Sequence, residues 1–178
     1  MLNSLIRTIF ARQKKHLIKG NESRADFLLS ECRTALSESD LPKALKLAQH
    51  VLSQYPLETQ AIYLVGHIFA RQGNLTQAIQ YLTDAICRDP TLAIAHSDLG
   101  NIYRLQQNYH EAEVEYRTAI NIDNNLVVAW LNLGKMLSAL GRFDDAYPAL
   151  AKTLVLTPDK IDILKIIIYA FIYYQYGK

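Results

Sequence analysis

The sequence has few of the residues that would indicate a secreted or metal-binding protein. Only two of its 178 residues are cysteines, Cys32 and Cys87, too few for a disulfide framework or a cysteine-rich metal site. Because free cysteine is usually buried, we predict two reduced thiols in the core. The N-terminus has basic residues but no clean apolar stretch followed by a small-residue cleavage site. We therefore expect a cytoplasmic protein.

Catalytic motifs are missing as well. The sequence contains no HExxH, no glycine-rich phosphate loop and no GxSxG. No two histidines form a metal-binding pair at helical spacing; the histidines are His16, His50, His67, His96 and His110. We expect no catalytic residue, no metal and no cofactor. We predict that the chain is not an enzyme, because a function must be argued from a site and no such site is visible.

The charges do not indicate a nucleic-acid partner, because the net charge is only +2. One acidic cluster, Glu111, Glu113 and Glu115, falls on a predicted helix. We interpret it as a solvated face, on which Glu113 and Arg117 can pair at i, i+4 spacing.

What the sequence does contain is a set of residues that recur every 34 positions. The recurring residues are Gly66, Gly100 and Gly134, then Ala44, Ala78, Ala112 and Ala146, then Pro56, Pro90 and Pro158, with Asn124 in the turn between the last two prolines. A fixed period of this length predicts a solenoid of stacked two-helix units. Such a protein usually offers a surface and does not run a reaction.

The unit that starts at Ala93 shows the predicted plan. Its first helix carries Gly100 on an apolar face, a turn follows at Gln107, and the second helix carries Ala112 and Tyr116 on one stripe. Glycine inside a helix costs about 1 kcal/mol relative to alanine. Glycine at the same place in three units therefore predicts a close approach of the two helices. The equivalent turns of the neighbouring units contain Gly73 and Gly141.

The pattern of one unit resembles the tetratricopeptide repeat, a helix-turn-helix of this length. The residues that carry the resemblance are Trp130, Leu133, Gly134, Phe143, Ala146 and Pro158. Three units match well, 59–92, 93–126 and 127–160, and a degenerate unit at 25–58 has Cys32 in place of the glycine. His96 in an aromatic position and Thr153 in an alanine position also depart from the pattern. The resemblance implies an all-α, right-handed α-solenoid.

The resemblance also implies a protein-binding adaptor or scaffold, with the first helix of each unit lining a concave groove. Reading one position after the glycine in each unit, and then the positions around it, predicts a polar surface that binds a peptide segment. Its residues are Arg33, Tyr63, His67, Asp98, Asn101, Arg104, Asn132 and Lys135, with Ser30 and Leu64 in the same registers. Tyr63 is predicted to be an apolar platform. The alternative is that these side chains are polar only because the groove is wet.

One known ligand class of this family is not expected. A clamp for a C-terminal carboxylate needs a lysine where this chain has Leu29 or Tyr63, and an asparagine where it has Asp98. Chaperone C-terminal tails are therefore not predicted partners.

Residues 1–20 contain no acidic residue and combine an apolar stripe with several basic side chains. We favour a helix that packs on the first repeat and caps the solenoid. Such a segment can also lie on an anionic membrane, bind a partner groove or resemble an organelle presequence.

Residues 161–178 continue as if another unit began, but 166–174 are all apolar. A helix that is apolar all round expects burial on every side. We predict a homodimer through this helix, with Ile166, Tyr169, Ile172 and Tyr173 at the interface. A membrane span is disfavoured, since 161–176 would reach only about 24 Å. The remaining alternative is that further repeats or a catalytic domain follow.

Two other functions remain open. The chain can be the recruiting arm of a larger glycosyltransferase- or sulfotransferase-type enzyme, because similar repeat arrays precede such domains. It can also be a membrane-peripheral assembly factor that residues 1–20 hold at the bilayer.

Overall fold

The computed structural model describes residues 24–158, and these form eight α-helices and no strand. The helices are α1 (Arg24–Ser37), α2 (Leu41–Gln54), α3 (Thr59–Arg71), α4 (Leu75–Arg88), α5 (Ala93–Leu105), α6 (Tyr109–Ile122), α7 (Val127–Ala139) and α8 (Phe143–Leu156). The predicted class, an all-α solenoid of helix-turn-helix units, is confirmed.

The helices pack in consecutive pairs, α1 with α2, α3 with α4, α5 with α6, and α7 with α8. The second helix of each pair also packs on the first helix of the next pair. In addition, α3 contacts α5 and α5 contacts α7 across unit boundaries. First helices therefore meet along one side of the stack, and this side is its concave face.

The repeated glycines mark where the two helices of a unit touch. A Cβ atom on Gly66 would lie 3.0 Å from the Leu82 side chain, and one on Gly134 would lie 2.7 Å from Leu150. Real Cβ atoms essentially never approach a neighbour below 3.0 Å. The predicted close approach is confirmed, and the cost of a helical glycine is offset by the contact that it permits.

The first unit solves the same packing problem with a different pair of residues. Cys32 takes the glycine position, is fully buried, and donates its thiol to the Ala44 carbonyl oxygen at 3.3 Å. Ala48 stands where the other units have leucine or tyrosine, and it is also fully buried. A larger residue on α1 is therefore matched by a smaller one on α2, which conserves the volume of the contact. Burial raises the pKa of the Cys32 thiol, which keeps it protonated.

The turn inside each unit requires a left-handed backbone at equivalent positions. Gly73 and Gly141 have φ of 80° and 73°, and Ser39 and Gln107 have φ of 62° and 63°. Glycine adopts this conformation without a steric penalty, whereas other L-residues do not. Two of the four turns therefore hold a strained residue.

Gln107→Gly is expected to stabilise the protein by about 0.5–1 kcal/mol, because it removes left-handed strain that exceeds the extra backbone entropy of glycine. Urea denaturation measures the change. The reverse substitution, Gly141→Gln, is the matched control and should lower stability. A Gln107→Gly variant that is less stable than the wild type would contradict the argument.

The two departures from the repeat pattern are accommodated by local hydrogen bonds. Thr153 is fully buried and its hydroxyl donates to the Ala149 carbonyl oxygen at 2.9 Å. His96 is buried between α5 and α6, where its Nδ1 lies 2.7 Å from Oε2 of Glu115. Each polar side chain thus has a partner inside the stack.

Three expectations from the sequence are wrong. Cys87 is exposed, not a core thiol. Leu64 lies in the core and not on the groove. Glu113 and Glu115 do not form a solvated face, because Glu115 pairs with His96. Whether such a position is covered depends on the packing of neighbouring helices, which the repeat pattern does not report.

Glu113 joins two units. It accepts from Arg117, as predicted, and also from Arg142 at the start of the next second helix. The Arg142 hydrogen bond is the main cause that lowers the pKa of Glu113. The side chain of Glu113 is therefore a link between the third and fourth units.

Predictions on residues 1–20 and 161–178, including the dimer interface, lie outside the described residues. Within residues 24–158, no helix has the length and hydropathy that crossing a bilayer requires. The same part of the chain contains no group of three or more metal-ligating side chains.

Candidate peptide-binding groove

The predicted groove residues lie on the four first helices. Arg33 is on α1, and Tyr63 and His67 are on α3. The others follow on α5 (Asp98, Asn101 and Arg104) and on α7 (Asn132 and Lys135). Most of these side chains do not stand alone, because hydrogen bonds connect them from one first helix to the next.

At the first boundary, the Arg33 guanidinium donates to Oε1 of Gln60 at 3.2 Å. The partner is a neutral amide, so the positive charge of Arg33 is not cancelled by this contact. Sequence reasoning missed Gln60, which lies one turn before Tyr63 on α3 and outside the two registers that predicted the groove.

At the second boundary, Asp98 receives two side chains from α3. The Tyr63 hydroxyl donates to Oδ2 at 3.2 Å, and His67 Nδ1 lies 2.7 Å from the same oxygen. Burial, and then the Asp98 carboxylate, raise the pKa of Tyr63. The structure thus uses the hydroxyl of Tyr63 as a donor, and the prediction of an apolar platform is corrected to that extent. Asp98 has its acceptor capacity directed at its own chain.

At the third boundary, Asn101 accepts from two helices at once. Its Oδ1 lies 2.7 Å from the Tyr116 hydroxyl of α6 and 2.9 Å from Nδ2 of Asn132 on α7. Tyr116 is fully buried, and burial is the main cause that raises its pKa. Asn101 is therefore a polar link between units, which its register alone did not indicate.

The groove keeps an excess of positive charge. Among α3, α5 and α7, the only carboxylate is Asp98, whereas Arg71, Arg104 and Lys135 are cations. Within residues 24–158, neither Arg104 nor Lys135 forms an ion pair with a carboxylate. The acidic residues concentrate on the second helices, at Asp84, Glu111, Glu113, Glu115, Asp144 and Asp145. The stack therefore has a basic concave side and an acidic outer side, although its net charge is small.

A pocket of about 300 Å³ opens in this basic surface between α5, the start of α6, and α7. Its lining combines two cations and an amide with apolar side chains, and consists of Arg104, Tyr109, Asn132, Lys135, Met136, Ala139 and Leu140. Sequence reasoning found the polar half and missed the apolar half, because the latter comes from the ends of two helices that the fold brings together.

The helix-turn-helix stack defines an α-solenoid, and family models assign it further. Models of the TPR repeat or tetratricopeptide repeat match residues 29–93, 100–141 and 129–162. The chain belongs to the tetratricopeptide repeat family.

Similar proteins share the repeat region. A protein O-mannosyl-transferase of Caenorhabditis elegans is 31% identical over 98 residues, which are 55% of this chain and 14% of that protein. Protein O-mannosyl-transferase TMTC1 of Homo sapiens is 27% identical over 138 residues, which are 72% of this chain and 16% of that protein. The chain therefore spans only a small part of these relatives. The crystal structure of a thermophilic TPR protein of Thermus thermophilus superposes with a TM-score of 0.74 at 22% identity, covering 89% of this chain and 87% of that one. This likeness concerns the fold.

Proposed function

We propose that the protein is an interaction scaffold that binds an extended peptide segment of a partner in the concave groove. The observation that carries the proposal is the separation of charge between the two sides of the stack. The groove cations Arg104 and Lys135 have no carboxylate partner in the described residues, and Arg33 contacts only an amide. A surface with unneutralised cations attracts carboxylates of a partner and speeds association.

The groove residues divide into two groups by the partners that they already have. Asp98, His67, Asn101 and Asn132 are joined to one another or to the core, so they shape the groove. Arg33, Arg104 and Lys135 retain donors that face solvent, since all three are exposed. We assign ligand binding mainly to this second group.

Peptide binding is tested with an array of 15-residue peptides and two double variants that remove the same charge. Arg33→Ala with Lys135→Ala should weaken groove-bound peptides by about 10–100-fold, as expected for lost charge-assisted contacts. Lys43→Ala with Lys46→Ala, on the second helix α2, should leave affinity unchanged. Binding should also weaken as salt rises. Equal losses in both double variants would place the binding surface elsewhere.

Self-association through residues 161–178 remains part of the proposal, together with a cytoplasmic location. Light scattering tests the former: the wild type should be a dimer, and Ile166→Glu with Ile172→Glu should give a folded monomer. A monodisperse wild-type monomer at high micromolar concentration would refute it.

A second candidate function is the recruiting arm of a larger glycosyltransferase-type enzyme. Its support is the similarity to the two O-mannosyl-transferases, which is confined to a small part of each. Reading the gene beyond the codon of Lys178 tests it, because a catalytic domain in the same frame is required. Membrane attachment by residues 1–20 remains a prediction, which vesicle flotation with and without that segment tests.

A further inference from the structure

We propose that the pocket between α5, α6 and α7 binds one acidic side chain of the partner peptide together with a large apolar side chain two residues away. This inference rests on the proposed function and names the chemistry of one part of the groove. It follows from three features of the pocket: its unneutralised cations, its apolar wall and its size.

The cations come from two different units. Arg104 lies at the end of α5 and Lys135 in the middle of α7, and both line the pocket. The only carboxylate on α3, α5 and α7 is Asp98, which already accepts from Tyr63 and His67. An arginine offers a planar fork and a lysine a point charge, and a carboxylate satisfies both. The Asn132 amide donates to Asn101, so its carbonyl oxygen is available to a peptide N–H.

The apolar wall faces the same space. Tyr109 and Leu140 are 38% and 39% exposed, although both are large, and Met136 forms the buried floor. Exposed large side chains next to unneutralised cations favour a ligand that has an apolar part as well as a charge. Methionine and tyrosine adapt well to different apolar partners.

The size limits what can enter. A volume of about 300 Å³ is at the lower end for ligand pockets, enough for one or two side chains. In an extended peptide, residues i and i+2 point to the same side, about 7 Å apart. An acidic residue and a large apolar residue at this spacing therefore enter together, and the residue between them points to solvent.

The test is a ¹⁵N NMR titration with acetylated and amidated peptides, which carry no terminal charge. The probes are Ser-Glu-Ser-Leu-Ser-Gly and the reversed order Ser-Leu-Ser-Glu-Ser-Gly. At least one should give saturable shifts centred on the amides of α5 and α7. Replacing the glutamate by glutamine, or the leucine by alanine, should weaken binding by about tenfold or more.

Protein variants test the same contacts from the other side. Arg104→Gln and Lys135→Gln each should weaken binding about tenfold, whereas Lys46→Gln on α2 should not. All three side chains are exposed, so the fold should persist, and the thermal midpoint checks this. Leu140→Ala should reduce the preference for leucine over alanine in the peptide.

The outcomes separate the two proposals. Shifts confined to α1 and α3, or affinity that ignores Arg104→Gln and Lys135→Gln, would overturn this subsite and leave groove binding intact. No shifts with either peptide would also overturn it, while the peptide array judges the groove independently. Binding only when phosphoserine replaces the glutamate would overturn the carboxylate assignment, because the pocket would then require a phosphoryl group.

Discussion

Gly100→Leu is expected to lower the free energy of unfolding by about 3 kcal/mol, at the upper end of the usual cost of overpacking a core. A Cβ atom at this position would lie 2.9 Å from two ring carbons of Tyr116 and 3.2 Å from the Ala112 carbonyl oxygen. Leucine would add three further carbon atoms to a contact that already lacks space. Urea denaturation, followed by circular dichroism, measures the loss.

Gly100 tolerates substitution less than the other repeated glycines for a specific reason. At Gly134 the crowded atoms belong to the flexible side chain of Leu150. At Gly100 they belong to a rigid ring that is fully buried and whose hydroxyl is bonded to Asn101. Movement of the Tyr116 ring would therefore break a hydrogen bond that links units. Because stability in a solenoid is shared across interfaces, the damage should spread to the adjacent units.

The control for this prediction copies the solution of the first unit. Cys32 opposite Ala48 indicates that a larger first-helix residue is accepted when the second-helix residue is small. Gly100→Leu should thus cost less in a Tyr116→Ala background than in the wild type, and the two changes should be non-additive. Additive losses, or an unchanged midpoint in Gly100→Leu alone, would show that the contact is not tight.

Asn101→Ala is expected to cost about 1–3 kcal/mol, the penalty for leaving a buried polar group unsatisfied. The substitution removes the acceptor of both the Tyr116 hydroxyl and the Asn132 amide. Arg104 also faces that hydroxyl, but an arginine has no acceptor to offer it. The loss should appear as lower stability and weaker cooperativity between the third and fourth units.

A double-mutant cycle isolates this link. Tyr116→Phe removes the hydroxyl and keeps the ring, so Asn101→Ala should cost less in that background. Hydrogen exchange would place the effect at α5, α6 and α7. If Asn101→Ala costs the same in both backgrounds, the hydroxyl contributes nothing to the link. The result also decides the design of binding studies, because a change at Asn101 alters the scaffold as well as the surface.

The sequence alone determined the repeat and the features that belong to a single unit. The helix pairs, the left-handed turns at Gly73 and Gly141, and the close approach at the glycine positions all depend on contacts within one unit. Such contacts recur at constant spacing, so they leave a periodic trace in the sequence. The register of the first helices likewise predicted which polar side chains would lie on the concave face.

Only the tertiary structure decided which of those side chains are already engaged. Asp98 and Asn101 are joined to residues 31 to 35 positions away, and these partners follow no repeat, because each boundary uses different chemistry. The pocket at Arg104 and Lys135 has the same origin, since its apolar half comes from the ends of separate helices. Contacts between units depend on how far each helix pair is rotated relative to the next, and a single unit's sequence does not contain that rotation.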